Sequence, residues 1–175
     1  MARRTLAVST LGLVVLLGTA ACGNDQGSSD ARPAACRTSQ LGWKMTRLPG
    51  KQRNTPVATL SAENKGSKAC VFDGYPSIDV YIGKGPSADG KPKKGATPVH
   101  VQLNPDRTVE FPLFYEATAV RGDGCEVSAE YDPSITVVPP HTKDGSLIKM
   151  TDAKGRHVRA QVCGTDIELG SPQLR

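Results

Sequence analysis

Apolar side chains recur at every second position along most of this chain, and a chain patterned in that way is built to fold as β-sheet. Ala58, Leu60 and Ala62 alternate with Thr59, Ser61 and Glu63. Ile78, Val80 and Ile82 alternate with Ser77, Asp79 and Tyr81. The same period holds for Val99, Val101 and Leu103, for Val109, Phe111, Leu113 and Tyr115, and for Val158, Ala160 and Val162. Successive side chains of a strand point to opposite faces, so each run offers one face to a core and one to water. Shorter runs at 41–45, 71–72, 126–129, 135–138, 147–150 and 166–169 fit further strands. Turn pairs punctuate them: Lys65-Gly66, Asp73-Gly74, Asp123-Gly124 and Asp144-Gly145. No stretch of ten or more residues has helical periodicity. Many short strands with Gly/Pro turns predict an all-β fold, an antiparallel β-sandwich. Pro112 inside a strand pattern predicts an edge strand or a bulge, and 84–98 reads as a long polar loop.

The N-terminus has a different character. Met1-Ala2-Arg3-Arg4 is basic, and 6–17 is almost unbroken apolar sequence. That apolar run has the length of a signal-peptide core and is short for a membrane span. Small residues Thr19-Ala20-Ala21 then lead to Cys22, which resembles a bacterial lipobox, although Thr19 stands where Leu is usual. The reading is a lipoprotein signal peptide over 1–21, cleaved before Cys22, with diacylglyceryl on the Cys22 thiol. An ordinary secreted chain that starts with Cys is the competing reading, and Arg3-Arg4 leaves a twin-arginine export route open beside the general one. Residues 22–35 contain no large apolar side chain and read as the lipidated Cys plus a flexible, disordered tether. The β-sandwich domain then occupies 36–175.

Cysteine counting agrees with export. Of the five cysteines, Cys22 is taken by lipid, leaving Cys36, Cys70, Cys125 and Cys163 as an even set for an oxidising compartment. Four cysteines allow three pairings. The sequential one, Cys36–Cys70 and Cys125–Cys163, is favoured here, each bridge closing a loop of roughly 35 residues worth about 3–4 kcal/mol. No C-x-x-C spacing is present for a redox motif or a zinc knuckle. Removing 1–21 takes Arg3 and Arg4 from the 22 basic residues and nothing from the 17 acidic ones, so the mature net charge is +3. Such a balance does not point to nucleic acid.

One stretch resembles a known family. Asn64-Lys65-Gly66-Ser67-Lys68-Ala69-Cys70-Val71-Phe72-Asp73-Gly74-Tyr75-Pro76-Ser77-Ile78 looks like the central motif of the actinobacterial lipoproteins called domain of unknown function 4232. In that motif an Asn and a Gly or Ser precede a cysteine, and an apolar residue, a Gly and an aromatic-Pro pair follow. Leu103-Asn104-Pro105 stands before the next strand where the family has Leu-x-Pro-Gly, with Asp106 in place of the Gly. Cys125 is followed by a strand ending at Pro139-Pro140, and Cys163 by one last strand. The resemblance implies an immunoglobulin-like sandwich, a lipid anchor and two disulfides, and no established activity. From the residues themselves, Gly66 and Gly74 supply backbone conformations closed to a Cβ, and Pro76 holds Tyr75 extended. Trp43, seven residues after Cys36, does not reproduce the antibody spacing of Trp and cysteines.

Catalytic patterns are weak. Ser146-Leu147-Ile148-Lys149 fits S-x-x-K, but in a strand its Ser and Lys point to opposite faces, and companion motifs are missing. No G-x-S-x-G occurs. His100 and His157 fall on water-facing positions and His141 in a loop, so a metal site would need them to converge. Lys91, Lys93 and Lys94 form a basic loop, a solvated surface or a contact for anionic cell-wall polymer or lipid headgroups. The functional expectation is a membrane-anchored, extracytoplasmic lipoprotein. Its non-catalytic domain would bind an envelope protein, a cell-wall polymer or a small ligand, with no cofactor and no metal. An envelope enzyme, hydrolase-like, with a site assembled from scattered residues, and a purely structural spacer are the rival expectations.

Overall fold

Strands form where the alternation is densest. A computed structural model describes residues 33–49, 54–118, 125–128 and 130–175. The expected signal peptide, Cys22, the expected tether up to 32, the expected Asp123-Gly124 turn and Ala129 lie outside the described residues. Among the described residues, twelve strands follow a 3-10 turn (Thr38–Gln40): β1 (Leu41–Arg47), β2 (Ala58–Asn64), β3 (Cys70–Asp73), β4 (Ser77–Tyr81), β5 (Pro86–Pro92), β6 (His100–Leu103), β7 (Thr108–Phe114), β8 (Ser134–Val138), β9 (Ser146–Ile148), β10 (Met150–Thr151), β11 (Asp166–Leu169) and β12 (Gln173–Leu174). The fold is all-β and sandwich-like, as the alternation requires.

The main sheet runs β10-β1-β2-β7-β11-β5-β4-β8-β9, with β12 also on β7, and β3 pairs β6 separately. The two ends of that path are joined by a single residue, Lys149, between β9 and β10. The apolar run at 147–150 is therefore a corner: its first half pairs β8 and its second half pairs β1. Two ladders are parallel, β1 with β10 and β5 with β11, among otherwise antiparallel neighbours. One core fills the interior, with Met45, Leu60, Ile78, Phe111, Ile135 and Ile167 all buried. Each such side chain contributes about 1.5–3 kcal/mol on leaving water. The β3–β6 pair packs Phe72 into this core, its ring centroid 5.7 Å from Phe111 and 5.9 Å from Trp43.

Four expectations are corrected. The stretch 84–98 is not all loop, because β5 lies within it, paired to β4 on one side and β11 on the other. Its single inward side chain is Ala88, and Gly90 is hemmed in: a Cβ there would lie 3.0 Å from Ile78 Cβ and 3.1 Å from Leu169 Cδ1. Pro112 lies in β7, which is central. Its missing N–H falls in a gap, because β11 pairs with Leu113 and Phe114 while β12 pairs with Val109 and Glu110. The Pro112 carbonyl on that side accepts from the Gly170 N–H at 2.8 Å. The run 158–162 buries Ala160 and Val162 yet forms no strand, since its backbone meets β10 at one end and Val127 at the other. The run 126–129 likewise forms no strand over its described residues 126–128, where Val127 bridges Val162.

At the N-terminal side, Ala34 and Ala35 already pair with Val71, ahead of the expected boundary at Cys36. The two disulfides are Cys36–Cys70 and Cys125–Cys163, closing loops with sequence separations of 34 and 38.

Candidate functional site

Among the described residues, a concave surface lies on the outer face of β1, β2, β7 and β12. Core residues of these strands take the inner positions, so their partners in the alternation project outward. Register then aligns them in two rows. Lys44 stands opposite Ser61, Ser61 opposite Glu110, and Glu110 opposite Gln173. Thr46 stands opposite Thr59, and Thr59 opposite Pro112. The result is an open groove of about 450 Å³, lined also by Leu48 and Pro56. Its floor is hydroxyl-rich and carries small side chains, which is why the surface is hollow. Arg175 closes one side. Its Nε donates to Glu110 Oε2 at 3.0 Å, and its backbone exchanges hydrogen bonds with Thr108. Lys44 has no ion-pair partner among the described residues. Hydroxyls, an amide and one uncommitted ammonium suit hydrogen-bonded recognition of a polar chain.

The histidines are exposed as the pattern predicts, but two of them meet. His100 Nδ1 lies 3.2 Å from Asp73 Oδ1 and His141 Nε2 lies 3.9 Å from Asp73 Oδ2. The third, His157, shares Asp132 with Lys149, at 3.1 and 2.8 Å. Hydrogen bonding from Lys149 is the main cause holding the Asp132 carboxyl below the usual range. Among the described residues, no Ser or Thr hydroxyl bonds to any histidine, and no group of three or more His, Cys, Asp and Glu side chains is arranged to hold a metal ion. Lys149, the lysine of the S-x-x-K pattern, is thus committed to Asp132 and not to Ser146.

The basic stretch changes character as well. Lys91 pairs with Asp166 at 2.6 Å and Lys93 with Glu168 at 2.7 Å, across the β5–β11 ladder. Lys93 also sits 4.6 Å from the centre of the Phe114 ring. Two of the three lysines are therefore paired within the sheet, and Lys94 has no ion-pair partner among the described residues. The Tyr75 hydroxyl donates to the Thr97 carbonyl at 2.8 Å, its ring packs near Phe111, and burial pushes its pKa up. Tyr75 thus has the folding role read from the motif. Gly74 has φ +106° and needs to be Gly, whereas Gly66 is small for another reason: a Cβ there would lie 3.1 Å from Asn64 Oδ1.

The groove was hidden in the sequence, and its signal was faint. Thr59 and Ser61 on one strand and Lys44 and Thr46 on another are ordinary water-facing residues until register sets them side by side. The fold and this surface define a disulfide-stapled all-β domain with a polar concave face. Residues 36–170 match the family model described as Domain of unknown function (DUF4232), and the chain belongs to that family. Neither a curated protein nor a solved structure is matched by the chain.

Proposed function

We propose that the chain is an exported lipoprotein, held on the extracytoplasmic face of the membrane through Cys22, whose β-sandwich is a non-catalytic binding domain. The groove on β1, β2, β7 and β12 carries the binding part of this reading. It takes an extended polar partner, an envelope protein segment or a cell-wall polymer, along the rows led by Lys44–Ser61 and Thr46–Thr59. The anchor is supported by the cysteine count. Cys36, Cys70, Cys125 and Cys163 are all consumed in bridges, so Cys22 is the one cysteine of five left over. Two acyl chains on its thioether suffice for stable anchoring.

The groove is tested with a photo-crosslinking residue at Ser61 in the intact protein in its native envelope, and a matching one at Lys154 as control. Adducts specific to position 61 that vanish in Thr59→Arg support the groove. Identical adducts from both positions, or adducts indifferent to Thr59→Arg, count against it. The anchor is tested by fractionation, with Cys22→Ala expected to leave the membrane and detergent phase.

A further inference from the structure

We propose that Cys125–Cys163 is a thiol-exchange site, opened selectively by an external dithiol while Cys36–Cys70 stays closed. The two bridges share a chemistry but not an environment. Cys36 and Cys70 are 2% and 1% exposed, and Cys70 lies in the β3–β6 ladder. The Cys36 N–H is bound to the Val71 carbonyl, so the first bridge is enclosed by paired backbone. Cys163 is buried too, at 8% exposure, but Cys125 is only half-buried, and it sits in no ladder. Accessible disulfides are the labile ones, because exchange needs in-line approach of a thiolate to sulfur.

A second feature is specific to this bridge. The Gln161 carboxamide Nε2 donates to Cys125 Sγ at 3.3 Å and lies 3.7 Å from Cys163 Sγ. A donor placed over both sulfurs favours the thiolate that departs, and a better leaving group exchanges faster. A dithiol reductant supplies one thiolate, which attacks Cys125 Sγ and forms a mixed disulfide. The Cys163 sulfur leaves as thiolate beside Gln161. The reductant's second thiolate then attacks its own sulfur in the mixed disulfide and releases Cys125. Two electrons and two protons pass to the protein as two thiols, and the reductant becomes a disulfide. What this frees is local. Among the described residues, the 125–127 segment is then held to 162–163 by the Val127–Val162 backbone pair, with the Cys163 N–H still on the Glu116 carbonyl.

The test uses the oxidised protein, dithiothreitol at graded concentration, quenching with N-ethylmaleimide and peptide mapping. Cys125 and Cys163 should be labelled at least tenfold faster than Cys36 and Cys70. Gln161→Leu should slow that first step several-fold at every pH and leave labelling of Cys36 and Cys70 unchanged. Equal rates for the two bridges, or earlier labelling of Cys36 and Cys70, would overturn the proposal in the wild type alone. A Gln161→Leu rate matching wild type would remove Gln161 from it.

Discussion

The Asn64 carboxamide donates a 2.9 Å hydrogen bond to the Leu103 carbonyl, tying the end of β2 to the end of β6 across 39 residues of chain. The same nitrogen donates to the Lys68 carbonyl, also at 2.9 Å, and Oδ1 accepts from the Gly66 N–H. Asn64 is fully buried, and its backbone joins it to Asp106 and Arg107 as well. One side chain therefore fixes the turn that delivers Cys70 to its bridge. Asn64→Ala removes all three of these buried hydrogen bonds, and should cost about 2–4 kcal/mol. Asn64→Asp should cost at least as much, because a carboxylate cannot donate to either carbonyl. Denaturant unfolding of both variants checks this, and an unchanged midpoint in either would refute the role.

Gly170 gives a second test, on the seam that admits Pro112. A Cβ at residue 170 would lie 2.8 Å from Pro112 Cγ and 2.9 Å from Phe114 Cε2. Gly170→Ala must push these two residues of β7 away or twist β11 from its ladder. Overpacking of this kind costs about 1–3 kcal/mol. Thermal unfolding should show the loss, with Gly155→Ala as a comparison for strain without crowding, since nothing lies near that position.

How much of this was legible beforehand depended on whether a residue's partner was written in its own segment. β2 and β7 carry their burial alternation openly, because each has a whole face in the core. β5 does not: Pro86-Ser87-Ala88-Asp89-Gly90-Lys91-Pro92 has one small inward side chain and takes its order from neighbours on both sides. The run at 158–162 shows the converse, with apolar alternation but no continuous neighbour to pair with. Asn64 was visible as part of a motif, while its reach to Leu103 was not. The groove depends on register between four strands, and Gln161 on a bridge whose partners are 36 residues and two residues away. No local pattern encodes either.

A third prediction concerns charge. Asp79 on β4 stands directly opposite Asp89 on β5. Partial burial is the larger cause and the Asp89 carboxylate the smaller one, and both raise the Asp79 pKa above its ordinary 3.8. A carboxyl raised on folding favours the folded state below its unfolded pKa, and that advantage is lost as pH rises through the folded value. Asp79 therefore weakens the domain at neutral pH. Asp79→Asn should stabilise it there by about 0.2–1 kcal/mol, the scale of a cross-strand like-charge pair. The gain should vanish near pH 3, where the wild-type carboxyl is protonated. Unfolding free energies of the two proteins across pH 3–7 decide it, and a constant difference would refute the electrostatic cause.

The turn before β7 offers the last. The Arg107 N–H bonds to the Asn104 carbonyl at 3.1 Å, closing a β-turn with Pro105 and Asp106 at its centre. Asp106 has φ +61°, so it adopts the left-handed conformation although it carries a Cβ. Pro then a left-handed residue is the pattern of a type II turn, whose third position favours Gly. Asp tolerates the geometry better than most residues, and the turn survives the departure from Leu-x-Pro-Gly. A β-branched side chain has no such tolerance. Asp106→Val should lower stability by about 1–2 kcal/mol, the scale of the left-handed penalty. Asp106→Gly removes the penalty but gives the unfolded chain more freedom, and these oppose each other at about 0.5–1 kcal/mol each. The glycine variant should therefore unfold at or slightly above the wild-type midpoint, and the valine variant clearly below it. A valine variant as stable as wild type would mean that residue 106 is not held at positive φ in solution.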